Sequence, residues 1–263
     1  MGSAVLVDSQ GILLTVNYVV IGGRRITATL PDGRRFPAEI VAQDFESGIA
    51  ALSIPVRDQP AAVPGDSRSL VRGLEVFILA STGPTDRRVS AGVITDLGPF
   101  DAYWEYLLES AIQTSAVSPG FGGGPLFDVR GRVMGITSLN LGQVGRWSLA
   151  IPIHLFLEHR DDLLHFGQVR DRFRRAWVGF YPESGPEGIV VAGLVPQAPA
   201  VRSGIQEGDI ILAVNSREVV TRKELYREMW KVPAGELLRF HIQRKGERTT
   251  IEVVSADRAD FYH

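Results

Sequence analysis

Cysteine is absent from this chain of 263 residues. That excludes disulfides and thiolate metal sites, and it leaves the redox compartment open. An excess of charge of one sign is missing too. The 28 basic and 30 acidic residues give a formal net charge of −2, so neither nucleic acid nor an anionic membrane surface is expected as a partner. No stretch approaches the ~18 consecutive apolar residues of a membrane-spanning helix. No signal peptide is visible, because Met1-Gly2 runs straight into the strand-like segment Ala4–Val7. Histidine is missing from the amino-terminal half; the five are His154, His159, His165, His241 and His263.

What is present is ordinary for a globular protein: 44% hydrophobic and 22% charged residues. The length exceeds one domain of roughly 100–200 residues and suggests two. Ile26–Leu30, Phe36–Val41, Ile49–Ile54, Glu75–Leu79 and Val133–Thr137 alternate as half-buried strands do. Turn signals such as Pro31-Asp32-Gly33 and Arg130-Gly131 separate them. This predicts a mostly β first domain, a barrel or sandwich. The character changes at residues 154–175: His154–Phe166 reads as one amphipathic helix, and the arginines of Arg170–Arg175 read as a solvated linker face. His154 and His165 would project on one side of that helix but sit roughly 16 Å apart along it. No metal site is therefore expected, and no cofactor.

Seven residues carry the most specific signal: Gly120-Phe121-Gly122-Gly123-Gly124-Pro125-Leu126. This stretch resembles the nucleophile loop of trypsin-like serine proteases, with glycine where the serine belongs. Flanking segments extend the likeness in order. Gly11–Val20 resembles the "GYILTNNHVV" of the HtrA/Deg family, Ser47–Leu52 its "TDIAVL", Ile112-Gln113-Thr114 its "IQT", and Trp147–Pro152 its "GFAIP". The resemblance implies two packed six-stranded β-barrels, and it places the family's histidine, aspartate and serine on Tyr18, Gly48 and Gly122. A phenol of pKa about 10 is a poor base at neutral pH. Gly48 cannot orient an imidazolium, and Gly122 cannot form an acyl-enzyme. The expectation is a pseudoprotease, with no catalytic residue and a remnant oxyanion nest at the amides of Gly120 and Gly122. Ser47, Ser115 and Ser118 read as turn and strand-end hydroxyls. The abrupt start reads as a shortened chain with Met1 as an added start. The family's first strand and the segment that packs protomers into a homo-oligomeric trimer would both precede it.

The remaining sequence resembles a PDZ domain, a β-rich α+β fold. Trp177-Val178-Gly179-Phe180 matches its carboxylate-binding loop, and Gly208–Asn215 matches its "GDVIxxVNG". A helix Glu224–Lys231 follows the cap Thr221, and Leu237–Arg244 with Thr249–Val254 form a hairpin about Lys245-Gly246. Such a domain binds by β-augmentation: a peptide adds to the strand at Phe180, and the amides of Val178, Gly179 and Phe180 meet its terminal carboxylate. The last side chain would enter a pocket of Trp177, Phe180, Leu225 and Met229. The domains expected are therefore 1–167, a linker at 168–175, and 176–256. The function expected is recognition of peptide C-termini or unfolded segments by a scaffold, regulator or holdase in protein quality control, with a periplasmic or cell-envelope location implied by the resemblance. The alternative is a serine endopeptidase with residual or relocated activity, or one acting beside an active paralogue.

Overall fold

The structure is a computed structural model that describes residues 1–140, 147–186 and 188–262; His263 lies outside them. The chain divides into two compact units, Met1–Pro99 with Leu108–Arg170 and Phe100–Leu107 with Asp171–His263. A single cut between residues 167 and 176 therefore misses one feature. Eight residues from the middle of the first domain's sequence belong to the second unit, because their contacts are made there.

The first unit opens with β1 (Val5–Leu6), β2 (Ile12–Val16), the one-turn helix α1 (Asn17–Val20), β3 (Ile26–Thr29), β4 (Arg35–Asp44) and β5 (Ile49–Ser53). These strands form a five-stranded antiparallel sheet in the order β1-β2-β5-β4-β3. Among the described residues this half is an open five-stranded sheet with β1 and β3 at its edges, not the expected six-stranded barrel. Its centre is dry: Leu14, Val16, Ala50, Ala51 and Leu52 are buried, and the small alanines let the central strands pack closely. The Val16↔Ile49 register aligns the end of β2 with the start of β5, which brings the residues just beyond each strand together.

Then follow β6 (Glu75–Ser81), β7 (Arg87–Ala102), β8 (Tyr106–Thr114), β9 (Pro125–Asp128), β10 (Val133–Asn140) and β11 (Ser148–Pro152), which close a six-stranded barrel. Along β6 the buried side chains alternate as Val76, Ile78 and Ala80, the period-2 pattern of a strand with one face inward. They join Ile112, Leu126 and Met134 in the barrel core. The single helix expected over His154–Phe166 is broken into α2 (His154–Leu157) and α3 (Arg160–Phe166). His159 leaves the helical region, with φ −119° and ψ 14°. Gly167 then ends α3 in the left-handed conformation, with φ 72°, as a C-terminal glycine commonly does.

The second unit contains β12 (Phe180–Gly185), β13 (Gly188–Leu194), α4 (Pro199–Arg202), β14 (Ile210–Val214), β15 (Arg217–Glu218), α5 (Arg222–Met229), β16 (Leu237–Arg244), β17 (Glu247–Val254) and α6 (Arg258–Tyr262). The sheet runs β12-β13-β14-β16-β17, with β15 paired to β14. At the start of α5, Thr221 Oγ1 accepts from Glu224 N–H at 3.2 Å, and the Glu224 carboxylate accepts from Thr221 N–H at 3.1 Å, a reciprocal capping box. Lys245 and Gly246 both have positive φ, 51° and 86°, which suits the tight turn joining β16 to β17. Phe180, Tyr226 and Phe240 are fully buried at the centre. The arginine stretch is largely exposed, as expected of a solvated face, and two of its members also make contacts within the unit. Arg174 pairs with Asp257 at 2.9 Å, and the Arg175 guanidinium lies 4.4 Å from the Trp230 ring centre.

One ion pair of this unit joins a buried acid to a partly exposed base. Asp209 is 1% exposed and accepts two hydrogen bonds from Arg244, at 2.6 and 2.7 Å. Removing one partner strands the other charge in a dry site. Arg244→Met is expected to lower the stability of the full chain by about 1–3 kcal/mol in urea denaturation, with the transition otherwise unchanged.

Candidate functional site

Two places in the structure carry functional geometry, one in each unit. In the first unit, the three positions singled out from the sequence come together. Asn17 N–H donates to the Gly48 carbonyl at 2.9 Å, so the β2 end holds Tyr18 beside Gly48. Gly48 has φ 85°, a backbone that penalises any side chain. A Cβ built on Gly122 would collide with the Tyr18 hydroxyl. The tyrosine ring thus reaches into the volume that a side chain at 122 would need. Its hydroxyl donates to the carbonyl of Ser138, and burial raises its pKa above the ordinary value of 10.0. At neutral pH this phenol keeps its proton and has already committed it to a carbonyl.

The glycine loop is packed by backbone on several sides. Side chains at Gly120, Gly123 and Gly124 would collide with the carbonyls of Ser81, Ser3 and Leu79 respectively. Phe121 N–H donates to Ser81 O at 2.9 Å, Gly123 N–H to Thr137 O at 2.7 Å, and Ser3 N–H to Gly122 O at 2.7 Å. Ser3 Oγ donates to Phe121 O at 2.8 Å. The amides of Gly120 and Gly122 have no acceptor among the described residues. Those are the two amides of the expected nest, and they are free to meet an oxygen.

The neighbouring serines act locally. Ser115 Oγ accepts from Val93 N–H at 3.0 Å, Ser118 Oγ donates to Gly120 O at 3.4 Å, and Ser47 Oγ accepts from Ile49 N–H at 3.3 Å. One pairing was not read from the sequence, because its members are 87 residues apart: Ser67 Oγ lies 2.8 Å from His154 Nδ1. The same oxygen accepts from His154 backbone N–H at 3.1 Å, and Ser67 is buried. Burial, then the nearby Arg68 charge, lowers the imidazole pKa. The buried hydroxyl is engaged as the acceptor for the first amide of α2.

In the second unit, the amides of Val178, Gly179 and Phe180 do converge on a carboxylate. It belongs to Glu105. Val178 N–H donates to Glu105 Oε2 at 3.1 Å, while Gly179 and Phe180 N–H donate to Oε1 at 2.6 and 3.0 Å. Gly179 allows this approach with φ 79°, and a Cβ there would strike Ala198 and the Trp177 ring. Trp177 is accordingly not part of a pocket with Leu225 and Met229. It packs on Val195, Ala198, Phe261 and Tyr262 and supports the loop from behind. Val178, Phe180, Leu225 and Met229 are buried together in the main core of the unit, with Leu107 buried among them.

Families of known proteins agree with both halves of this architecture. A trypsin-like peptidase domain matches residues 2–136 and a PDZ domain matches residues 160–254. The chain is 31% identical to the "Probable periplasmic serine endoprotease DegP-like" of Halomonas elongata over 99% of its own length and 57% of the relative's. It is 30% identical to the protein of the same name from Pseudomonas putida, over 96% and 55%. It therefore spans little more than half the length of these curated relatives. Among solved structures, "HtrA-type protease AlgW with decapeptide" superposes with a TM-score of 0.62 at 29% identity, covering 98% of this chain and 82% of that one. The serine endoprotease from Yersinia pestis gives 0.60 at 26% identity, covering 97% and 88%. Fold and site define a trypsin-like peptidase domain joined to a PDZ domain. The chain belongs to the HtrA family.

The surroundings of Glu105 set its protonation. Burial is the largest influence and pushes its pKa up to about 7, against the three amide donors and the Arg258 charge. Tyr226 and Tyr262 also face it. A folded pKa above the ordinary 4.5 means that the native state binds the proton more tightly than the unfolded chain does. The associated stability is fully present below the ordinary value and is lost as pH rises through about 7. Glu105→Gln removes this term. In urea denaturation from about pH 5 to pH 8, the wild-type chain is expected to lose up to about 3 kcal/mol relative to the variant.

Proposed function

We propose that this chain is a non-catalytic member of its family, a pseudoprotease that recognises peptide C-termini or unfolded segments through its PDZ groove. The observation that carries this reading is the packing at Gly122. The Tyr18 ring takes the volume a nucleophilic side chain would need, and its hydroxyl is already bonded to Ser138 O. Nothing at Tyr18, Gly48 or Gly122 can abstract a proton or attack a carbonyl at neutral pH. The amides of Gly120 and Gly122 then serve as a nest for a carbonyl or carboxylate that is held and not cleaved. The names of its relatives support a periplasmic setting, where capture of exposed termini fits a scaffold, regulator or holdase.

Recognition in the second unit rests on the three converging amides, which are suited to a terminal carboxylate. The edge strand β12 and the neighbouring helix α5 supply the walls for an extended peptide.

A fluorophosphonate serine probe and a casein-release assay test the first half of the proposal. No labelling and no release are expected from the wild-type chain; labelling at Ser67 or any other serine would overturn the non-catalytic reading, and labelling together with casein release would establish an endopeptidase. Gly122→Ser alone is expected to stay unlabelled and to lose about 1–3 kcal/mol of stability, because the new side chain meets the Tyr18 hydroxyl. For the second half, calorimetry should show a peptide with a free C-terminal carboxylate binding at least about tenfold more tightly than its amidated twin. Equal affinities would rule out the amide loop as the binding site.

A further inference from the structure

The segment Phe100–Leu107 makes its contacts inside the second unit, and it does so along the walls a peptide would use. Asp101 pairs with Arg222 at the start of α5, at 2.8 Å. The Tyr226 hydroxyl, also on α5, donates to Ala102 O at 2.6 Å and accepts from Glu105 N–H at 3.2 Å. Tyr103 meets the Tyr181 ring of β12 edge-on, with centroids 5.7 Å apart. Arg258 donates to Trp104 O at 3.1 Å. Glu105 is 4% exposed and is the acceptor for all three loop amides.

Glu105 also has φ 54°, in the left-handed region. For a glutamate this backbone conformation is strained, and a glycine at the tip would avoid it. The chain instead places there a carboxyl side chain that reaches three amides. Local conformation and burial both oppose this residue, so the contact with the loop is what the tip is built to make.

We propose that Glu105 is a built-in ligand of the carboxylate-binding loop, a stand-in for a peptide C-terminus, and that a peptide with a free carboxylate binds only by displacing the 100–107 tip. This rests on the reading that the groove takes peptide termini. The exchange has a driving force on the page. The tip satisfies the loop amides and lies along α5, yet among the described residues β12 pairs with β13 and forms no ladder with the tip. An extended peptide offers the same carboxylate and the strand hydrogen bonds as well. The tip has the advantage of being tethered, with an effective concentration in the millimolar range. Apparent peptide affinity is then reduced by the fraction of molecules whose groove is open.

The test uses the full chain and a fluorescein-labelled ten-residue peptide ending in phenylalanine with a free carboxylate, read by fluorescence polarisation. Glu105→Ala is expected to bind it at least about tenfold more tightly than wild type. Asp101→Asn, which loosens the tip and leaves the carboxylate in place, should give a smaller gain. Glu105→Gln substitutes if the alanine variant does not fold. The Gly179 and Phe180 amide proton resonances, without peptide, should move in the Glu105 variants. Unmoved resonances would overturn the proposal before any peptide is added. Equal peptide affinity in wild type and all variants would also overturn it, while leaving the groove a peptide site. No binding by any variant would instead overturn the peptide reading, and the displacement proposal with it.

Discussion

A carboxylate taken out of water must be met by donors, and in the second unit the demand and the supply come from distant parts of the sequence. Glu105 brings an anion into a closed site, and the loop at Val178–Phe180 supplies three amides to receive it. Neither is comfortable alone. The amides would be unsatisfied donors in a buried loop, and the carboxylate would carry an uncompensated desolvation cost. Their meeting accounts for the left-handed turn at Glu105, the glycine at 179, the support of that glycine by Trp177, and the burial of Leu107 in the same core.

The first unit is governed by a steric constraint. The loop Gly120–Gly124 is threaded between the carbonyls of Ser3, Leu79 and Ser81, and three backbone hydrogen bonds at Phe121, Gly122 and Gly123, with one more from the Ser3 hydroxyl, hold it there. Within that frame a glycine at 122 and a tyrosine at 18 are complementary: the missing side chain of one makes room for the hydroxyl of the other. The two positions therefore form one packed arrangement, and each limits what the other can become. That is a physical reason why a substitution at one of these two positions is expected to depend on the residue at the other.

Much of this was legible in the sequence because it is local. The strands Ile26–Thr29, Ile49–Ser53 and Leu237–Arg244 announce themselves by alternation, α5 by its Thr221–Glu224 cap, and the β16–β17 turn by Lys245-Gly246. The structure places Tyr18 in α1 just after β2, Gly48 just before β5 and Gly122 in the turn before β9. What local pattern could not supply was anything set by distant pairing. The break at His159 falls in a stretch whose periodicity runs on unbroken. The open first sheet depends on which edges meet. Glu105 lies 73 residues from its nearest amide partner, within Tyr103-Trp104-Glu105-Tyr106, and no motif marks that stretch. The one hint was a lone acid among three large aromatics, a pattern better suited to a docked segment than to a solvated turn.

Residues 100–107 also bear on what counts as a module in this chain. A PDZ domain is usually treated as a cassette that can be excised at its linker and studied or grafted alone. Here an excision at Asp171 would leave behind Glu105, which satisfies the loop, and Leu107, which fills part of the core. The fragment would carry vacant donors and a gap in that core, and any partner it captured would meet amides that Glu105 occupies in the intact chain. The unit of inheritance for this fold is therefore larger than the unit of sequence similarity.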